Sequence, residues 1–303
     1  MEEGVVAPMR RGLLSRLIPL LLALATTPVF SRTYRVCPTG EFTLRCQFKG
    51  DAGIQAAIDR AANGDSILIE AGHYSPRAYR ETPYSDFTVR SYILVEGKNL
   101  SIIGEQGTIL DGGIGLPTTA LTIHHAEVTL RNLEIVNFRW DVEEDEFYDG
   151  HGIFVIDGKA RIDNVIVRNV QKMALTGRGA SLLDVSNFRV LGGHVGIWLR
   201  ETAYLRLTHS VVSGNLSGGL SAYADAVAQI TDSVFEDDAD DALYTENRAS
   251  IYVTRSRLLR NKPFAAHALH DSNIWIDASV LADNEADFGV QDQGRARVID
   301  HAL

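Results

Sequence analysis

The chain has 303 residues, 45% of them hydrophobic and 22% charged, which is the composition of a globular protein and excludes an intrinsically disordered one. Its formal net charge of -10 argues against binding to nucleic acid or to an anionic membrane surface, because both require a positive field. The same charge does not exclude an acidic ligand, since local basic residues or a bound cation can reverse the sign of the field.

Residues 1–31 have the features of a secretory signal peptide. Three arginines precede a short apolar segment, residues 17–25, which is too short to span a bilayer comfortably as a helix. We expect cleavage after Ala25 or near Ser31, and an uncleaved membrane anchor is the alternative. The segment predicts an exported protein, secreted or periplasmic, with no membrane span after cleavage.

Residues 32–50 contain both cysteines of the chain, Cys37 and Cys46. Export removes the protein from the reducing glutathione pool, which favours a disulfide. The spacing does not fit a CxxC redox pair, and there is no further cysteine to complete a zinc site. We therefore predict a structural disulfide in this N-terminal segment, ahead of a main domain that covers residues 51–303.

The main domain begins with a predicted amphipathic helix over Asp51–Asn63. Ile54, Ala57, Ile58 and Ala61 fall on one face of this helix. Such a helix would cover the open first rung of a stacked structure.

From Gly152 onward the sequence divides into six coils of between 22 and 24 residues and a final partial coil. Each coil opens with a small residue and alternating side chains, and it closes in a turn rich in Asn, Asp and Gly. Alternation with a period of two predicts strands, and repetition at this length predicts a solenoid. A leucine-rich repeat has a similar period but a denser leucine pattern. The repeat therefore favours an all-β fold, a right-handed parallel β-helix whose rungs stack at about 4.8 Å. The last rung ends at Leu303 without an evident cap, so oligomerisation through it is one way to cover it.

Two segments near the start of the main domain resemble a known superfamily. IQAAIDRAANGDSILIEAGHY and LSIIGEQGTILDGG are similar to the amino-terminal signature of the pectate lyase-like β-helix superfamily. The resemblance implies a β-helix for nearly all of the chain after the signal peptide. It implies no single activity, because the superfamily includes lyases, hydrolases, esterases, epimerases and binding modules.

Stacking of the coils predicts columns of outward-facing residues on the opening strand of each coil. The first column is Phe154, Thr176, Trp198, Ser221, Tyr244, His267 and Gln291, and the second is Ile156, Arg178, Arg200, Tyr223 and Glu246. Aromatic rings stack on sugars and arginine pairs with carboxylates, so this face suits an acidic polysaccharide or another glycan. We predict catalytic roles for Arg178 and Arg200, and substrate binding by Trp198, Tyr223, Tyr244, Glu246 and His267. The alternative is a solvated face whose charges pair across rungs.

The acidic turn at residues 236–241 is the densest charge cluster in the sequence. Carboxylates this close favour a hard cation or raised pKa values, and we predict a Ca²⁺ site formed by Asp237, Asp238, Asp240 and Asp241. An exposed acidic turn is the alternative. The stretch Asp240-Asp241-Ala242-Leu243 also resembles the paired-Asp motif of polygalacturonases, which implies a glycoside hydrolase.

Two insertions interrupt the repeat, residues 75–84 and residues 138–151. Insertions longer than a rung requires are usually functional or disordered, and a structural capping loop is the alternative here. In the second insertion we predict catalytic roles for Tyr148 and His151, and substrate binding by Arg139 and Trp140, since Tyr, Arg and His can remove and return a proton. Asp149-Gly150-His151 resembles part of the Asp-Pro-His-Asp motif of mannuronan epimerases.

These observations predict an exported β-helix protein that is a lyase or C5-epimerase acting on a uronate polymer by cation-assisted proton abstraction. A non-catalytic carbohydrate-binding or cell-envelope module is the first alternative, and a hydrolase with paired Asp residues is the second.

Overall fold

A computed structural model describes Met1 and residues 31–40, 45–144 and 147–299, without the side chains of residues 298 and 299. The predicted signal peptide therefore lies almost entirely outside the described residues. From Ser31 onward the chain forms one compact unit.

The described residues form one helix and 28 strands. Helix α1 spans Gly53–Arg60. In chain order the strands are β1 Thr33–Cys37, β2 Phe48–Lys49, β3 Ser66–Ile69, β4 Gly72–Tyr74, β5 Arg80–Tyr84, β6 Phe87–Glu96, β7 Asn99–Gly104, β8 Thr108–Asp111, β9 Thr119–His124, β10 Glu127–Val136, β11 Phe147–Tyr148, β12 Ile153–Ile156, β13 Lys159–Arg178, β14 Leu182–Ser186, β15 Arg189–Leu199, β16 Tyr204–Thr208, β17 Val211–Asn215, β18 Leu220–Ala224, β19 Val227–Thr231, β20 Val234–Glu236, β21 Leu243–Asn247, β22 Ser250–Thr254, β23 Arg257–Leu259, β24 Phe264–Leu269, β25 Asn273–Asp277, β26 Val280–Ala282, β27 Ala286–Gln291 and β28 Arg295–Ile299.

The strands stack into three parallel sheets that the coils visit in turn. Sheet 1 contains β6, β9, β12, the ends of β13 and β15, β18, β21, β24 and β27. Sheet 2 contains β3, β7, the starts of β10 and β13, β14, β16, β19, β22, β25 and β28. Sheet 3 contains β4, β8, the later parts of β10 and β13, the start of β15, β17, β20, β23 and β26. This architecture confirms the predicted parallel β-helix.

The core lies inside the three sheets and consists of apolar columns. In sheet 2 one column of buried residues continues through six paired rungs: Ile162, Val185, Leu207, Ile230, Val253 and Ile276. Each rung buries its apolar residues against the rungs above and below, so no coil has a complete core by itself.

Helix α1 closes the first rung, as predicted, but it is shorter than the predicted range. Ile54, Ala57 and Ile58 are buried in the core of the β-helix. The helix ends because Ala61 adopts an extended conformation. Lys98 then donates from Nζ to the carbonyl oxygen of Ile58 at 2.9 Å, which satisfies one of the free carbonyl groups at the helix end.

The N-terminal segment carries the predicted disulfide between Cys37 and Cys46, whose Cα atoms are 5.8 Å apart. Within the described part of the chain, no helix is long and apolar enough to cross a membrane.

Candidate functional site

The outward residues of sheet 1 form the predicted column. Its members in paired rungs are Phe154, Thr176, Trp198, Ser221, Tyr244 and His267. The next position is Gly289, whereas the predicted residue, Gln291, pairs with Leu269. The prediction placed 24 residues between His267 and the next column position, whereas the paired residues are 22 apart. The turn at residues 283–285 is one residue shorter than the turn at residues 260–263, so this coil is shorter than the preceding one of 23 residues and not longer.

Side-chain burial confirms the register in the middle of the column. Ile197 and Leu199 are buried, Trp198 is half-buried and Arg200 is exposed. Arg178 lies on the same face, yet only 5% of its surface is exposed. The prediction that Arg178 faces solvent is therefore wrong, because the two insertions cover this end of sheet 1.

The insertions pack together as one unit, which we call the wall and define as β5, residues 87–89 of β6, and β11. β5 pairs with β6 in the antiparallel direction, and β11 adds to β6 in parallel. The rings of Phe87 and Tyr148 stack with their centroids 3.9 Å apart, and Tyr84 lies beside Phe87. Two segments that look independent in the sequence therefore form a single aromatic layer.

A buried ion pair anchors the second insertion to β6. Arg90 donates from Nη2 to a carboxylate oxygen of Asp149 at 2.6 Å, and it also pairs with Glu144. The guanidinium carbon of Arg90 lies 4.2 Å from the ring centroid of Phe147. Asp149 is fully buried, and this burial raises its pKa while the hydrogen bond from Arg90 opposes the rise.

Arg178 is enclosed between the wall and Trp198. Its guanidinium carbon lies between 5.1 and 5.4 Å from the ring centroids of Tyr84, Phe87 and Trp198. It donates from Nε and Nη2 to both carboxylate oxygens of Glu201, each at 2.8 Å. Burial acts to raise the pKa of Glu201, but the hydrogen bonds from Arg178 outweigh it and lower that pKa. Arg178 thus joins the wall to the next rung, while its Nη1 is buried and has no hydrogen-bond partner in the described part of the chain.

His151 lies beneath the wall, against Tyr148 of β11. His151 is fully buried, its Nδ1 lies 3.0 Å from Oγ1 of Thr176, and its ring stacks beside that of Tyr148. Burial, followed by the charges of Lys172 and Arg178, holds the pKa of His151 well below its usual value. The imidazole is therefore neutral, and a ligand would reach it only after movement of the wall.

Arg139 and Trp140 lie on another side of the second insertion. Arg139 donates to the carbonyl oxygen of Gly115 at 2.6 Å, and the backbone N–H of Trp140 donates to Gln171. Lys172 Nζ lies 4.4 Å from the ring centroid of Trp140. These contacts are with neighbouring coils and not with Trp198, Tyr223 or Tyr244, so the structure separates this pair from the predicted binding face.

The open part of sheet 1, which we call the aromatic face, comprises Trp198, Arg200, Tyr223, Tyr244 and His267. Neighbouring ring centroids lie 6.3 Å apart for Trp198 and Tyr223, and 5.5 Å apart both for Tyr223 and Tyr244 and for Tyr244 and His267. A cavity of about 400 Å³ opens at the end of the face that is farthest from the wall. It is lined by Ser217, Ser221, Tyr223, Asp240, Asp241, Tyr244, His267 and Leu269.

Arg200 is the exposed cation of this face. Its guanidinium carbon lies 5.5 Å from the ring centroid of Trp198 and 5.7 Å from that of Tyr223. Within residues 31–299 as described, no carboxylate forms an ion pair with Arg200. The arrangement leaves its donors available to an acidic ligand.

Two hydrogen-bonded pairs line the cavity. Asp241 lies 2.6 Å from Nδ1 of His267, and Tyr244 donates its hydroxyl to Glu246 at 2.9 Å. An ionised carboxylate only accepts, so Nδ1 of His267 is the donor to Asp241 when Asp241 is ionised. Nε2 of His267 is buried and has no hydrogen-bond partner among the described residues. Burial raises the pKa of Asp241, and burial together with Glu246 raises that of Tyr244, so the phenol stays protonated.

The acidic turn does not gather its carboxylates around one point. Asp237 forms an ion pair with Arg260, with Nε and a carboxylate oxygen 2.7 Å apart. Asp238 is buried and accepts hydrogen bonds from the backbone and side chain of Asn215. Asp240 accepts from the backbone N–H of Asp241, whose own side chain faces His267.

These four carboxylates therefore do not fit a shared Ca²⁺ site. In the described part of the chain, the one set of clustered metal-ligand atoms is Cys37, Cys46 and Glu70, and both cysteines are in the disulfide. Calcium dependence stays a prediction, and a site at the acidic turn would require these side chains to leave their present partners.

Comparison with known proteins agrees with this architecture. Residues 120–281 match the family described as right handed beta helix region, and the chain belongs to this family. A pectate lyase, Pel9A, superposes with a TM-score of 0.56 at 12% sequence identity, over 82% of this chain and 70% of the lyase. A rhamnogalacturonan lyase superposes with a TM-score of 0.57 at 12% identity, over 82% of this chain and 74% of the other. At this identity the likeness shows the fold alone. No curated protein sequence matches the chain.

Proposed function

We propose that this chain is an exported enzyme that acts on a uronate-containing polysaccharide along the aromatic face, by β-elimination or C5 epimerisation. The observation that carries the proposal is the row formed by Arg200, the rings of Tyr223 and Tyr244, and the His267–Asp241 pair. A free cation, sugar-stacking rings and a proton-transfer pair are the groups that this chemistry requires.

Binding follows from the exposed groups of the face. The rings of Trp198 and Tyr223 stack on sugar faces, and Arg200 between them pairs with a uronate carboxylate. Arg200 lies three rungs from His267, roughly 14 Å at the strand spacing. We therefore assign Arg200 to the carboxylate of a sugar next to the reacting one.

The proton-transfer step is assigned to the cavity. Asp241 holds His267 through Nδ1, which leaves Nε2 to take the proton from C5 of the sugar. Nε2 is buried in this structure, so the step requires the side chains around His267, such as Phe264, to move and admit the sugar. In β-elimination the C5–H electron pair forms the C4–C5 double bond, the C4–O bond breaks, and the leaving oxygen takes the hydroxyl proton of Tyr244. In epimerisation no bond to C4 breaks, and a proton returns to the opposite side of C5.

Glycoside hydrolysis is a second candidate, favoured by the two carboxyl groups that line the cavity, Asp240 and Asp241. Burial raises the pKa of Asp241, as an acid that protonates a leaving oxygen requires. Asp240 is exposed and would activate water. A non-catalytic binding module remains the alternative without covalent chemistry.

The test is a screen of the purified protein against polygalacturonate, alginate and glycosaminoglycan polymers. Elimination gives unsaturated ends that absorb in the ultraviolet, hydrolysis gives new reducing ends without that absorbance, epimerisation exchanges the C5 proton with solvent, and binding alone gives none of these. We expect His267→Gln to lower turnover by 100-fold or more, within the range of about 10²–10⁴ for general acid–base catalysis. Tyr244→Phe should lower it as well.

Arg200→Ala should instead weaken substrate binding by about 10-fold or more, the loss of a charge-assisted hydrogen bond. Arg189→Ala is the matched control, because Arg189 is an exposed arginine of sheet 3 with no ion pair in the described part of the chain. Equal substrate affinity in the two variants would remove the assignment of the aromatic face.

Export is part of the proposal and rests on the signal-like N-terminal sequence and on the Cys37–Cys46 disulfide. Mass spectrometry of protein recovered outside the cytoplasm should find a new N-terminus after Ala25 or near Ser31.

A further inference from the structure

A second pair of aromatic rings lies on the outer surface of sheet 2. Tyr252 and Trp275 are paired in neighbouring rungs, and their rings stack with centroids 4.5 Å apart and planes 16° apart. Tyr252 is 42% exposed, and neither ring belongs to the core, so the stack lies on the outside of the coil. Gln229 precedes it in the same column and Arg297 follows it.

Two arginines at one end of this stack have no acidic partner among the residues that the structure describes. Arg295 and Arg297 lie on the same face of β28, about 7 Å apart at the strand rise. Both are exposed, and neither forms an ion pair with any residue that the structure describes. By contrast, Arg248, Arg255 and Arg260 each pair with an aspartate of the preceding rung. Two like charges this close repel, so the pair favours an anionic ligand.

We infer that Tyr252, Trp275, Arg295 and Arg297 form a second, non-catalytic binding surface for an acidic polysaccharide. The exposed ring of Tyr252 and the half-buried ring of Trp275 supply stacking on the sugar ring, and the arginines supply pairing with its carboxylates. Ser250 and Asn273 lie beside the ring pair and supply neutral polar groups. The net charge of -10 disfavours a nucleic acid as the ligand.

This surface is separate from the aromatic face, because it belongs to sheet 2 and the aromatic face belongs to sheet 1. The inference does not require the aromatic face to be catalytic. A polymer held on sheet 2 would stay close to the protein between reactions on sheet 1, which raises the local concentration of substrate.

The test is electrophoresis of the folded protein in native gels that contain polygalacturonate, alginate or neutral hydroxyethylcellulose. All variants are made both in the wild-type chain and in a Trp198→Ala/Arg200→Ala chain, which removes the contribution of the aromatic face. We expect the Arg295→Ala/Arg297→Ala pair to weaken retardation by an acidic polymer at least about fivefold. Trp275→Ala should weaken it about threefold or more.

The matched control is Arg189→Ala/Arg257→Ala, which removes from sheet 3 two exposed arginines that form no ion pair with the described residues. The inference fails if this control lowers retardation as much as the sheet 2 pair, or if the sheet 2 pair changes nothing. An equal loss of binding to hydroxyethylcellulose would overturn the assignment of an acidic ligand. If Trp275→Ala does not fold, the Arg295→Ala/Arg297→Ala variant alone tests the inference, because both arginine side chains are exposed and lie outside the core. Turnover is read from the products of the polymer screen, and retardation by sheet 2 is read in the Trp198→Ala/Arg200→Ala chain, so a failure of the proposed reaction and a failure of this inference give different results.

Discussion

Replacing Asp238 with asparagine should stabilise the protein at neutral and alkaline pH. Asp238 occupies one position in a ladder whose other members are Asn215, Asn261 and Asn284. In this ladder the side-chain amide of Asn261 donates to the carbonyl oxygen of Phe235 at 3.2 Å, and that of Asn284 donates to the preceding coil in the same way. A carboxylate cannot donate, and Oδ2 of Asp238 has no hydrogen-bond partner in the described part of the chain.

The magnitude follows from the pKa of this carboxyl group. Burial, against the hydrogen bonds from Asn215, raises the pKa of Asp238 from 3.8 to about 7. One pKa unit corresponds to about 1.36 kcal/mol, so full ionisation of Asp238 destabilises the fold by about 4 kcal/mol. The folded state binds this proton more tightly than the unfolded state. Stability is therefore complete below the unfolded pKa, falls as the pH rises between 3.8 and about 7, and stays low above that range.

Urea unfolding at about pH 4 and about pH 8 tests this reasoning. Asp238→Asn should unfold at nearly the same urea concentration as the wild type at the lower pH, and at a clearly higher one at the higher pH. Asp237→Asn is the control, because Asp237 is exposed and its hydrogen bonds from Arg260 lower its pKa. If wild type and Asp238→Asn lose stability in parallel between the two pH values, Asp238 does not ionise inside the fold and the argument is refuted.

Three other substitutions test the packing. Ile230→Ala removes a core residue with 1% exposure and should cost about 2–5 kcal/mol of unfolding free energy by denaturant titration; a loss below about 1 kcal/mol would contradict the stacked core. Arg178→Ala leaves Glu201 without its bidentate partner and opens the contact with the wall, so the thermal midpoint should fall more than with Arg206→Ala, an arginine whose ion pair is exposed. Cys37→Ser should lower the unfolding free energy by about 2–3 kcal/mol, and equal stability of the reduced wild type would argue against the disulfide as a support.

The coils could be predicted from the sequence because each rung repeats the same alternation of buried and outward-facing residues and closes in a similar turn. Trp198 and Arg200 point outward as alternation requires. The ladder at Asp238 was also visible, since residues 215, 238, 261 and 284 are spaced by 23 positions. The local charge cluster suggests a metal ligand at Asp238, whereas the column of residues spaced by 23 places it among asparagines.

The contacts of the wall could not be predicted in the same way. β11 pairs with β6 across a separation of about sixty residues, and no repeat relates the two segments. Arg90 and Glu201 look like ordinary surface residues in the sequence. In the structure Arg90 anchors the second insertion through Asp149, and Glu201 forms the ion pair with Arg178. Burial of Arg178 and His151 follows from this long-range packing, which period and alternation do not encode.

The wall also makes the two ends of the aromatic face unequal. Near Arg178 the face is closed by the rings of Tyr84 and Phe87, whereas beyond His267 the column continues into Gly289, which has no side chain. A polymer laid along the axis would meet a barrier at the end near Arg178, and the described residues form no such barrier beyond His267. If the protein cleaves a polymer along this face as proposed, a face closed at one end favours a bound chain whose terminus lies against the wall, and it favours shortening from that terminus over cuts at random positions.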